Sequence, residues 1–304
     1  MSSIIFGPLL SRRFGKSLGI DLSPNKKQCN FDCLYCELKP AKTVDKYDDI
    51  IPIETIINAV EDALAEHKDI DVITITANGE PTLYPYLGKL INRINSIKGD
   101  IKTLILSNGS TIGDLNVREA LAKLDMVKLS LDCATDKCLK KLDRAHDGLN
   151  IADIMQGMLD FKAIYDKPLI IEVLLVKSIN DDVKNIEALN DFLIKLKPTR
   201  VDIGTIDRPP AYKVEALNYD ELKGVVSLFD PSLPVYIVSR KTAGKRVQKY
   251  TNDEILQTLS NRPLSSDDIE ILFDEDTKNR LKDLLNSDKI KIKSYGGIDF
   301  YKLP

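Results

Sequence analysis

Cys29-Asn30-Phe31-Asp32-Cys33-Leu34-Tyr35-Cys36 decides how the rest of this chain is read. Its three cysteines stand at C-x3-C-x2-C spacing, in a turn-rich stretch (23–40) that follows an apolar run at 17–22. A flexible loop of this kind curls three thiolates around one iron–sulfur cluster, each on a different iron, and thiolates are the soft ligands such clusters prefer. A [4Fe–4S] cluster held by three cysteines leaves one iron open to a substrate or cofactor. Structural zinc or three unrelated cysteines are the other readings. Zinc asks for a fourth ligand, and His67 and His146 stand far off without finger-like spacing.

The surrounding composition is that of an ordinary folded protein. The 304 residues include 43 Lys and Arg against 46 Asp and Glu, a net charge of −3, and 43% are apolar. Collagen, disorder and a disulfide-dense miniature are excluded, and so is a grip on nucleic acid by bulk positive charge. Met1 to Pro8 has no basic segment leading into an apolar run, and no stretch reaches 18 uninterrupted apolar residues. No secretory signal and no membrane span are expected, and the location expected is cytoplasmic. Cys133 and Cys138 make the cysteine total odd. They read as reduced, small core residues beside the fourth strand.

Strand-like and helix-like segments alternate through the first two thirds. Apolar, β-branched runs recur at 17–22, 71–76, 102–106, 126–131, 170–176 and 201–206, with a later edge strand at 234–238. Near-continuous apolar character suits parallel strands covered on both faces. Helical patterns fill the gaps at 52–65, 86–97, 116–124, 151–164 and 183–196. The pattern is α/β, a (β/α)6 wound sheet or partial barrel, with chemistry at the C-terminal strand ends. Residues 1–240 form this domain, and 241–250 read as a basic linker. In 251–304, three helices and a hairpin turning at Tyr295-Gly296-Gly297 make a winged-helix pattern. That segment holds eight Lys or Arg and eleven Asp or Glu, and its third helix opens on Asp274-Glu275-Asp276, unwelcome beside phosphates. A basic cluster remains at Lys289, Lys291 and Lys293. The module is expected to contact protein, with tRNA or DNA as the other partner.

With Tyr35 before the last cysteine, the triplet closely resembles that of the radical SAM superfamily. The resemblance covers about residues 15–240. It implies a [4Fe–4S] cluster on Cys29, Cys33 and Cys36, S-adenosylmethionine (SAM) bound at the open iron, and one-electron cleavage yielding a 5′-deoxyadenosyl radical. It also implies an electron donor such as flavodoxin or ferredoxin. Gly79-Glu80-Pro81 resembles the superfamily's Gly-Gly-Glu motif, which holds the methionyl ammonium. Asn108, Ser130 and Asp132 stand at strand ends that reach ribose and carboxylate in relatives. Leu175 and Val176 are expected to flank adenine, with Tyr35 adding backbone or ring contact. Taken alone, each has a plainer reading: Asn108-Gly109 as a turn, Asp132 as a helix cap, Ser130 as a core hydroxyl.

A narrower set comprises Gly7-Pro8, Ser11-Arg12-Arg13, Ser17-Leu18-Gly19, Asn78 to Leu83, Ser130-Leu131-Asp132 and Thr205 to Pro210. It looks like the iron–sulfur oxidoreductase group related to wyosine base synthases, which act on a guanosine of tRNA. The second cysteine-bound cluster of those enzymes has no counterpart triplet here. A tRNA base or a small anionic metabolite is the expected substrate, with Arg12, Arg13 and Arg208 as its anion-binding residues. Lys16, Lys26 and Lys27 read as solvated surface. The rival classes are a cluster-containing redox or iron sensor that binds nucleic acid, and an activating enzyme for a glycyl-radical protein.

Overall fold

A computed structural model describes residues 4–11, 14–238, 247, 249–261, 263–295 and 298–304. Arg12, Arg13, most of the expected basic linker and the Gly296-Gly297 turn lie outside the described residues. The strands form where the aliphatic runs stand: β1 (Ile5–Ser11), β2 (Gly15–Asp21), β3 (Val72–Thr76), β4 (Lys102–Ser107), β5 (Met126–Ser130), β6 (Leu169–Leu175), β7 (Arg200–Thr205) and β8 (Val235–Ile237). They make one sheet in chain order, with β1 antiparallel to β2 and every later neighbour parallel. The antiparallel β1 was not foreseen.

Helices α1 (Ile53–Glu66), α2 (Leu87–Ile97), α3 (Leu115–Leu121), a short α4 (Asp136–Cys138), α5 (Ile151–Ile164), α6 (Val183–Leu196) and α7 (Tyr219–Val226) connect them. Several start on a side-chain cap: Asp114, Asn150, Asp182 and Asn218 each accept a backbone N–H of the first turn. Side chains alternate along each strand. Val127, Leu129, Leu131, Ile171, Val173, Val201 and Ile203 join the core beneath the helices. The opposite, concave face carries Lys128, Ser130, Glu172, Leu174 and Asp202. Ser130 pairs in register with Glu172, and Glu172 with Asp202. The result is an eight-stranded, helix-flanked sheet resembling a radical SAM barrel.

A small helix and sheet module ends the chain: α8 (Asn252–Asn261), β9 (Leu264–Ser265), α9 (Ser266–Leu272), α10 (Glu275–Asn286), β10 (Lys291–Tyr295) and β11 (Ile298–Lys302), with sheet order β10-β11-β9. The module has its own apolar core around Ile255, Phe273, Leu281 and Phe300. Ser265 and Asp268 close a reciprocal cap on α9. Asp274 caps α10, so the acids at its start have a structural task. Tyr250 packs against Phe273 and donates its hydroxyl to the Pro8 carbonyl, joining the module to β1.

Candidate functional site

The loop bearing the three thiols is pinned by backbone bonds from several parts of the chain. Before it, Gln28 N–H donates to the Asn78 carbonyl, and Glu80 N–H donates to Gln28. Inside it, Asp32 and Leu34 donate to the carbonyls of Asp143 and Leu142, on a π-helical turn at Leu139–Asp143. His146 donates to Asn30, Val44 to Cys29, and Ala211, beyond β7, to Cys36. The Gln28 amide ties Ser23 to the backbone of Asp48 and Asp49. Gly79 is required where it stands. Its φ is +139°, and an added Cβ would lie 1.9 Å from the Gln28 carbonyl oxygen.

Cys29, Cys33 and Cys36 are free thiols. Burial pushes all three up, Cys29 to about 12 with the Glu80 charge adding to the effect. Iron would replace those protons on binding. Polar groups face the sulfurs: Phe31 N–H lies 3.4 Å and the Asn108 amide nitrogen 3.8 Å from Cys29 Sγ, and Lys27 Nζ lies 3.7 Å from Cys36 Sγ. Among the described residues no three His, Cys, Asp or Glu side chains converge tightly enough to hold a single metal ion. A cluster bound through separate irons does not ask for that convergence. It asks for soft donors on one loop with hydrogen-bond donors to sulfur, and the residues present fit it.

The strand-end residues divide into two kinds. The Glu80 carboxylate is fully buried and spoken for: it accepts from Thr82 N–H, the Thr82 hydroxyl, Ser107 hydroxyl and Asn108 N–H at 2.6–3.0 Å. It therefore locks the Gly79-Glu80-Pro81 turn to the end of β4. Asp132 accepts from Tyr35 hydroxyl at 2.5 Å and Leu174 N–H at 2.6 Å, and burial pushes its carboxyl up to about 7. Asn108 Nδ2 donates to Asn30 Oδ1, while Asn108 Oδ1 accepts from Ser110. Leu175 lies in the helix-facing core and its carbonyl accepts from Thr205. By the alternation of the strand it is Leu174 that faces the concave side.

A cavity of about 20 Å³, room for a water, is lined by Phe31, Tyr35, Asn108, Ser130, Asp132 and Asp143 among others. Asp143 is 3% exposed, and its Oδ1 has no hydrogen-bond partner among the described residues. Burial, then the nearby Asp132, raises its carboxyl well above the usual range. A larger surface groove of about 540 Å³ runs over α2 and α3 and shares no residue with this one.

Two expectations change. Cys133 and Cys138 are joined in a disulfide, with Cα atoms 5.4 Å apart, instead of standing as separate reduced residues. The one helical turn after Thr135 brings the second sulfur back to the first. Lys27 is not solvated surface: its side chain is 8% exposed and lies 3.5 Å from Asp32. Arg208, expected to bind an anionic group, pairs with Glu37 through NH1 at 3.3 Å. Asp32, Asp143 and Tyr212 drew no notice in the sequence. Tyr212 hydroxyl donates to Asp32 at 2.5 Å across 180 residues, a pairing that local spacing does not signal.

A sequence profile described as Radical SAM superfamily matches residues 27–189. A UPF0026 protein from Helicobacter pylori strain J99 is 45% identical over 300 residues, 98% of this chain and 97% of that protein. Its counterpart in strain 26695 matches at the same identity and coverage. Among solved structures, Streptococcus suis SuiB bound to precursor peptide SuiA superposes with a TM-score of 0.58 at 20% identity, over 74% of this chain and 49% of SuiB. At that identity the likeness is one of fold, and this chain spans about half of SuiB's length.

Proposed function

Because the chain belongs to the radical SAM superfamily and groups with the UPF0026 proteins, we propose that this radical SAM enzyme binds a [4Fe–4S] cluster through Cys29, Cys33 and Cys36 and uses SAM there. The chemistry the pair supplies when bound is one-electron cleavage of the sulfonium, giving a hydrogen-abstracting 5′-deoxyadenosyl group. The observation that carries the reading is the pinned loop, with three free thiols and donors facing the sulfurs of Cys29 and Cys36.

The chain's own residues then have distinct tasks. Glu80 acts through the turn it locks, offering that backbone to the methionyl ammonium while its carboxylate stays engaged. Asp132 fixes Tyr35 at the end of the loop. Asn108 and Ser130 stand on the same side for cofactor hydroxyls. Bound SAM would be held by these strand-end residues, since the small cavity beside Asp132 has room only for a water. Substrate sits deeper on the concave face, over Lys128 and Glu172, which pair at 2.5 Å. A tRNA base or a small anionic metabolite remains the substrate class, and a flavodoxin- or ferredoxin-type protein would supply the electron to the cluster. The separate apolar core of the C-terminal module supports reading it as a winged helix that meets protein or tRNA.

Iron analysis tests the cluster. Anaerobically reconstituted chain should hold about four irons, with a thiolate-to-iron absorption band. Cys33→Ala should lose both. Equal iron and an unchanged spectrum in that variant would overturn the assignment.

A further inference from the structure

Lys27 sits two residues before the first cluster cysteine, yet it is buried and aimed back at the third. Its ammonium lies 3.7 Å from Cys36 Sγ and 3.5 Å from Asp32 Oδ1. Asp32 is also buried, and three groups share its carboxylate: Lys27, Arg144 NH1 at 3.4 Å from Oδ2, and the Tyr212 hydroxyl at 2.5 Å. Arg144 in turn stacks on the Tyr212 ring, 4.8 Å from its centroid. Two cations thus meet one carboxylate.

We infer that Lys27 is an electrostatic tuning residue for the bound cluster, making its one-electron reduction easier, and that Asp32 moderates it. This rests on the proposed cluster. Reduction adds one electron, from a donor such as dithionite or a flavodoxin-type protein, and no proton need move. The added negative charge spreads onto the thiolate sulfurs. A fixed cation in contact with one of them stabilises the reduced form, and burial keeps solvent and salt from screening it. Asp32, 3.5 Å from the Lys27 ammonium, offsets part of that charge and works the other way.

Potentiometric titration of the reconstituted full chain, read by the EPR signal of the reduced cluster and made without SAM, measures this directly. Lys27→Met should make reduction about tenfold less favourable, a midpoint about 59 mV lower for one electron. Lys27→Arg should stay within a few-fold of wild type. Asp32→Asn, which keeps an acceptor for Tyr212, should shift the midpoint upward. Unchanged midpoints in Lys27→Met and Asp32→Asn at full iron content would overturn the proposal. So would a Lys27→Met chain with unchanged midpoint but weakened SAM binding, which would make Lys27 a cofactor ligand. If Lys27→Met takes up no iron, the Asp32→Asn shift decides alone. A wild-type chain that holds no cluster would instead reject the proposed function itself.

Discussion

Glu80 shows how a residue at a motif position can work without touching a ligand. Its carboxylate accepts four donors from Thr82, Ser107 and Asn108. Removing it strands those donors in a buried place, so Glu80→Ala should destabilise the cluster-free chain by about 3 kcal/mol or more, read by urea unfolding. A loss below about 1 kcal/mol would contradict the account. Asp132 gives a pH signature. Its carboxyl moves from 3.8 to about 7 on folding, by burial. Between those values the folded chain holds a proton that the unfolded chain has released. Its contribution to stability is full below the lower value and is lost as pH rises through the upper one. The melting temperature of the cluster-free wild type should therefore fall more steeply over that window than that of Asp132→Asn. Parallel profiles would contradict it. The cysteine spacing was legible because three ligands on one short loop are a local pattern. The burial of Lys27 was not, because the groups around it, Arg144 and Tyr212, lie more than a hundred residues away in sequence.

At the scale of elements, periodicity located every parallel strand and helices α1, α2, α3, α5 and α6 to within a few residues. It missed α7, β9 and the antiparallel β1. It also placed Leu175 at the strand end without settling which face it takes, and the alternation sends it to the helices. The disulfide is another product of an element, since the turn from Thr135 through Cys138 closes Cys133 against its partner. It ties the strand end bearing Asp132 to the π-helical turn bearing Asp143. In cluster-free chain purified without reductant and then denatured, alkylation should label Cys29, Cys33 and Cys36 only, with all five labelled after reduction. Five labels without reductant would remove the disulfide from the account.

At the scale of the molecule, two apolar cores divide the work. The thiol loop is held by strand ends, the π-helical turn and the segment after β7, all within the large sheet. The C-terminal module meets it at β1 through Tyr250 and Pro8, and its Asp268 adds negative charge near Arg208. Deleting residues 249–304 should therefore leave iron uptake at the wild-type level while lowering the melting temperature. Loss of the cluster on deletion would show that the module supports the site. The domain boundary was visible as a change in pattern and charge. The module's acids misled, because Asp274 and Asp268 serve as helix caps as well as charges. The central claim is that the Cys29-Cys33-Cys36 loop makes this chain a SAM-cleaving enzyme. Product analysis by mass spectrometry after anaerobic reduction with dithionite tests it most directly. Wild type should convert SAM to 5′-deoxyadenosine and methionine, and Cys33→Ala should form neither; equal 5′-deoxyadenosine from both, or none from an iron-loaded wild type, would contradict it.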